Sequence, residues 1–188
     1  MIVILSGITG AGKSYLKKHI INKLNFKNIV IVTTRAIREN EVDGIDKHFV
    51  SDSEFEKLKA KGEISVCFEF LGNKYGYFTK DLKDTVNSIT ELHYNTIDDF
   101  KKCAKNVISI YIKPNVDMAK KQLHLRNLPK SVEKIRLKEI KEQLKEIETN
   151  TNLRNKFDYV ISNDYTENSL ENATNLIKTL AEKHVVSV

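Results

Sequence analysis

The chain has 188 residues, 40% hydrophobic and 30% charged, with 31 basic against 25 acidic side chains for a net charge of +6. These values exclude a collagen-like or largely disordered chain and fit one domain with a sizeable core. The positive balance suits nucleic acid and any small phosphorylated ligand equally. The longest apolar run, Met1–Leu5, is far short of the ~20 residues a bilayer span needs. No basic flank or small-residue cleavage site marks a secretory leader, so a cytoplasmic protein without membrane contact is expected. Cys67 and Cys103 form no disulfide framework and no C-x-x-C pair, which agrees with a reducing compartment.

Ile2–Ser6 reads as a buried strand ending at Gly7, and Leu16, Ile20, Ile21 and Leu24 follow at helical spacing. Ile29–Val32 is a second short β-branched run. Thr33–Tyr77, rich in charge, glycine and aromatics, breaks the rhythm as an inserted mixed unit. Val107–Ile112 is a third strand, stopped by Pro114. Ser131–Glu148 reads as a charged helix with the stripe Leu137, Ile140, Leu144 and Ile147. Tyr159–Ile161 is a fourth strand, ahead of a helix carrying Leu170, Ala173, Leu176, Ile177 and Leu180. Buried strands alternating with amphipathic helices predict an α/β fold, a parallel sheet covered by helices on both faces.

Between the first strand and the first helix lies Gly7-Ile8-Thr9-Gly10-Ala11-Gly12-Lys13-Ser14, a full match to G-x-x-x-x-G-K-[ST]. Glycines let backbone N–H groups wrap a triphosphate, and the following helix N-terminus adds positive potential. Lys13 is placed to reach the β and γ oxygens, and the Ser14 hydroxyl to hold Mg²⁺. Gly7, Thr9, Gly10, Ala11, Gly12, Lys13 and Ser14 therefore predict ATP binding.

The segment Thr33-Thr34-Arg35-Ala36-Ile37-Arg38-Glu39-Asn40-Glu41-Val42-Asp43-Gly44-Ile45-Asp46-Lys47-His48-Phe49-Val50 resembles the acceptor-binding signature of guanylate kinases. Gly62-Glu63, Gly72-Asn73-Lys74-Tyr75-Gly76 and Phe157-Asp158-Tyr159-Val160-Ile161-Ser162-Asn163-Asp164 continue the likeness. It implies a P-loop kinase with a core at 1–31, 79–118 and 155–188, a nucleotide-monophosphate flap at 32–78 and a lid at 119–154. It also implies transfer of the γ-phosphoryl of Mg·ATP to a nucleoside monophosphate, GMP or dGMP first. Arg35 and Arg38 would clamp the acceptor phosphate, a task planar guanidinium forks suit. Glu41 and Tyr75 join them by the same resemblance. Arg126 and Arg136 would come over the triphosphate from the lid, where Gln122 stands at a position usually basic, and Asn163 would face the adenine. Small-molecule substrates, no nucleic acid and a monomer or homodimer are the partners this implies.

The departures gather where the family reads the base. Ile31 stands at a serine position, Val66 at that of the guanine-binding glutamate, and Tyr77 at a serine or threonine. Lys47 replaces a phosphate-contacting tyrosine. Glu91, with His93 two residues on, is the nearest candidate for a core-strand aspartate. Glu69 lies three residues past Val66, on the opposite strand face unless a bulge intervenes at Cys67-Phe68. Three readings stay open: a guanylate kinase in which Glu69, Asn73 or Glu91 reads the base; a kinase for another acceptor, such as dTMP, a modified pyrimidine or a phosphorylated sugar; and a non-catalytic binding module. An intact Lys13 and Ser14 argue against the last. The five histidines show no metal-ligand spacing. Lysine-rich Lys57–Lys61 and Lys101–Lys105 lack the interleaved aromatics of a nucleic-acid platform.

Overall fold

Ile2–Ser6, buried at every position, forms β1 (Ile2–Ser6) of a computed structural model that describes residues 1–39, 41–83 and 86–185. Asn40 of the acceptor segment lies outside the described residues. The elements that follow β1 are α1 (Lys13–Leu24), β2 (Lys27–Asn28), β3 (Ile31–Thr33), β4 (His48–Phe49), α2 (Asp52–Ala60), β5 (Ile64–Phe70) and β6 (Asn73–Phe78). Then come β7 (Ser88–Glu91), α3 (Ile97–Cys103), β8 (Val107–Pro114), α4 (Val116–His124), α5 (Lys130–Thr149), α6 (Thr151–Arg154), β9 (Tyr159–Asn163) and α7 (Glu167–Val185).

One sheet runs in the order β2-β7-β1-β8-β9 with every pairing parallel, so β1 is its middle strand. Side-chain alternation sends Val3 and Leu5 to one apolar cluster, with Leu16, Ile20, Ala173 and Ile177 of the covering helices. Ile2 and Ile4 go to the other face, against Ile97, Phe100, Tyr111 and Leu153. This is the two-sided burial that β-branched runs predict. Among the described residues no helix is long and apolar enough to cross a membrane.

A second sheet, β4-β3-β6-β5, is built within the inserted unit, antiparallel except for the β3–β4 pair. One face is covered by α2 through Phe55, packed with Val32 and Ile64. The other face carries Val66, Tyr75 and Tyr77 into the cluster that holds Tyr94, Ile97 and Phe100. The apolar run at Ile29–Val32 is therefore not one strand. The chain leaves the first sheet at Ile29, whose N–H bonds the Ile89 carbonyl and whose own carbonyl accepts from Thr90 Oγ1 at 2.9 Å, and enters the second at Ile31.

β7 escapes the hydrophobic pattern because Ser88 and Thr90 are buried polar residues. Their hydroxyls donate to the Val86 and Ile29 carbonyls, which satisfies them inside a core. β5 carries a bulge: Ser65 pairs with Tyr77 and Phe68 with Tyr75, so three steps on one strand match two on the other, with Val66 at φ 52°.

Candidate active site

The phosphate loop joins β1 to α1, and its shape is fixed by close approaches that only glycine permits. At Gly10, with φ +83°, a Cβ would lie 2.5 Å from the Ala119 carbonyl oxygen. From across the sheet, Asn163 Nδ2 donates to the Ala11 carbonyl at 2.9 Å, and Tyr165 donates its hydroxyl to the Gly10 carbonyl. Asn163 Oδ1 accepts from the Tyr165 N–H and from Ser169 Oγ, so this side chain braces the loop from the end of β9. Tyr165 escapes sequence reading because its contact spans 155 residues.

Lys13 folds back on the loop, donating to the carbonyls of Gly7 at 2.8 Å and Ile8 at 2.9 Å. Burial lowers its pKa to about 8; Glu91 opposes this shift, while Arg126 and Lys47 add to it. Ser14 Oγ donates to Glu91 Oε2 at 3.1 Å, and Lys17 Nζ stands 3.4 Å from Oε1 of the same carboxylate. Burial alone would raise the pKa of Glu91. The charges of Lys17, Lys47 and Lys13, with the Ser14 hydroxyl, more than offset that and hold the carboxyl at about 2. Lys17 is a residue that motif reading passes over, although three residues from Ser14 on a helix is same-face spacing.

Two clefts meet at this loop. One, of about 470 Å³, has an apolar wall of Leu16, Ile112, Ile161 and Leu170 and a polar rim that includes Gln122 and Asn163. The second, of about 800 Å³, lies between the core residues Thr9, Lys17 and Glu91 and the insert residues Arg38, Glu41, Asp46 and Lys47, with Arg136 of α5 above. Gly10, Lys13, Ser14 and Arg126 border both clefts. The structure thus gathers the phosphate loop, Arg38, Glu41, Lys47, Glu91, Arg126 and Arg136 around one junction.

Other candidates stand apart from it. Arg35 is committed elsewhere: its Nη2 donates to both Glu41 oxygens at 2.7 and 2.8 Å, its guanidinium lies over the Phe49 ring, and it lines neither cleft. Tyr75 is buried and stacked on Phe68. Ile31, Val66 and Tyr77 are core residues; Tyr77 is wholly buried, edge-on to Phe100, and donates its hydroxyl to the Glu91 carbonyl. The bulge in β5 is present, yet it does not bring Glu69 inward. Phe68 and Phe70 pack toward the Tyr77 side, so alternation turns Glu69 to the opposite face, where it is exposed. Asn73, at the start of β6, donates to the Leu71 carbonyl across the turn.

Ser14 and Glu91 offer hard oxygen donors within hydrogen-bond distance of one another. That fits magnesium, which keeps several waters and takes its other oxygens from nucleotide phosphates. His93 is half-buried between the rings of Phe70 and Tyr94, 4.8 and 4.3 Å away. Burial pushes its pKa down to about 4, Lys13 assisting and Glu146 opposing. A base whose folded pKa is depressed binds fewer protons folded than unfolded, so stability falls as pH drops from about 6.5 through 4. The expected loss is up to about 3 kcal/mol across that window. Urea unfolding at a series of pH values checks it, and His93→Phe is expected to flatten this part of the profile.

A family model described as guanylate kinase matches residues 1–180. A guanylate kinase of Malacoplasma penetrans is 31% identical over 193 aligned positions, covering 97% of this chain and 95% of that protein. A guanylate kinase of Mycoplasma mobile is 30% identical, covering 94% and 92%. The crystal structure of guanylate kinase from Anaplasma phagocytophilum superposes with a TM-score of 0.73 at 26% identity, over 95% of this chain and 85% of that one. The likeness runs through core, insert and helical arm alike, and the chain that places its phosphate loop between two clefts belongs to the guanylate kinase family and is a phosphotransferase.

Proposed function

We propose that this protein transfers the γ-phosphoryl group of Mg·ATP to GMP or dGMP, giving ADP and the guanosine diphosphate. The observation that carries the reading is the junction at Lys13, Ser14 and Arg126, where two clefts open onto the same loop, one read as the donor site and the other as the acceptor site. The relatives are guanylate kinases, which favours GMP and lends no support to a pyrimidine, a phosphosugar or a non-catalytic module.

ATP lies with its base on the apolar wall of the smaller cleft and its phosphates on the loop amides. Lys13 leaves the Gly7 and Ile8 carbonyls for the β and γ oxygens. Ser14 and Glu91 would hold a magnesium ion, which when bound would neutralise charge on the phosphates. In the larger cleft Arg38 and Lys47 take the acceptor phosphate, while the Arg35–Glu41 ion pair keeps the segment in shape. Tyr75 pairs with Thr33 in the sheet and so supports the start of that segment. Arg126 and Arg136, on the arm at 119–154, close over the junction, neutralise charge as the phosphoryl group moves in line, and exclude the water that would otherwise take it. The unit at 32–78 is the acceptor-binding flap.

ADP production from Mg·ATP is measured against GMP, dGMP, AMP, CMP, UMP, dTMP and dUMP with a no-acceptor control. GMP or dGMP is expected to lead. A leading pyrimidine, or no acceptor above the control, refutes the reading. Arg38→Ala is expected to raise the GMP KM roughly 10–100-fold, the loss of one charge-assisted hydrogen bond, with the ATP KM nearly unchanged. An equal rise in both removes Arg38 from the acceptor phosphate.

A further inference from the structure

Glu91 is already occupied in the free protein, one oxygen by Ser14 and the other by Lys17. Ser14 and Lys17 are three residues apart on α1, so one face of the helix presents both to the same carboxylate. The Lys17–Glu91 pair is well shielded, with side chains only 13% and 20% exposed. Lys13 from the loop and Lys47 from the segment before β4 act on the same group. Lys13, Lys17 and Lys47 line the same cleft as this carboxylate, so a divalent cation arriving alone meets a net positive pocket. A triphosphate reverses that sign.

We propose that Lys17 is a positioning residue that serves as the resident counter-ion of Glu91. It keeps the carboxylate aimed at Ser14 and closed to free divalent metal, so that the metal enters only as its nucleotide complex. The nucleotide phosphates then draw Lys17 and Lys13 away and free the second oxygen of Glu91. This rests on the assignment of Ser14 and Glu91 as the magnesium ligands made under the proposed function.

The test is an electron paramagnetic resonance titration of free Mn²⁺ with nucleotide-free protein, for the wild type, Lys17→Met, Lys17→Arg and the double variant Lys17→Met/Glu91→Gln. Far-UV circular dichroism shows that each is folded. The wild type and Lys17→Arg are expected to leave Mn²⁺ free in solution. Lys17→Met is expected to bind one ion with a Kd at least about tenfold lower, and the double variant to lose that gain. Equal Mn²⁺ binding by the wild type and Lys17→Met overturns the proposal, as does a gain that persists in the double variant. The acceptor panel does not depend on this titration, so a wild type that phosphorylates GMP while Lys17→Met gains no metal refutes the counter-ion alone.

Discussion

Lys13→Ala is expected to reduce phosphoryl transfer from Mg·ATP by about 10³-fold, the scale on which a single preorganised charge at a developing anion acts. The geometry explains why no neighbour substitutes. The Lys13 ammonium is held 2.8 and 2.9 Å from two loop carbonyls, so it waits beside the phosphate position and needs only a side-chain rotation to engage it. Arg126 borders the same junction but belongs to the arm, Lys17 is paired with Glu91, and Lys47 belongs to the acceptor segment. Its lowered pKa, about 8 in the free protein, adds a second expectation: above that pH the ammonium is lost before nucleotide binds, and ATP capture weakens. Initial rates with ATP and GMP, compared for the two proteins across pH, check both points. A variant retaining a tenth of wild-type turnover removes Lys13 from the transfer step.

Glu91→Gln is expected to be nearly as damaging, about 10²-fold in kcat, with a higher magnesium concentration at half-maximal rate. Glutamine keeps the shape and the Ser14 contact but removes the charge, so the loss reads metal affinity rather than packing. The change also leaves Lys13, Lys17 and Lys47 clustered without their counter-charge, and a lower thermal midpoint is expected alongside. Unchanged magnesium dependence would place the metal elsewhere.

The phosphate loop is fully legible in the sequence because its chemistry is local: eight consecutive residues carry the turn, the charge and the hydroxyl. The inner strands β1 and β8 and the long helices are legible for a similar reason, since β-branched runs and 3.6-residue stripes state their own burial. β7 is not, because its burial depends on the Ile29 and Val86 carbonyls that receive its hydroxyls. Nor is the split at Ile29, where one apolar run serves two sheets. The strained Val66, β-branched yet left-handed, belies every local preference and is held by the strands around it. At the junction the distant partners are what sequence leaves out: Lys17 reaches Glu91 across 74 positions, and Tyr165 reaches back to Gly10. Ile31, Val66 and Tyr77 align with base-reading positions, but tertiary packing has made them core.

The place of β1 in its sheet has a consequence for how the molecule is made. β1 lies in the middle of the sheet, and its two neighbours, Ser88–Glu91 and Val107–Pro114, both follow it far along the chain. Ile2 and Ile4 thus have no strand to pair with until Ser88–Glu91 has been made, 86 positions further on, whereas β3, β5 and β6 close on one another within 31–78. Contacts of such long sequence separation are slow to form. The insert is therefore expected to close before the parallel sheet does, and β1, apolar and unpaired until then, is the segment most in need of a chaperone's protection.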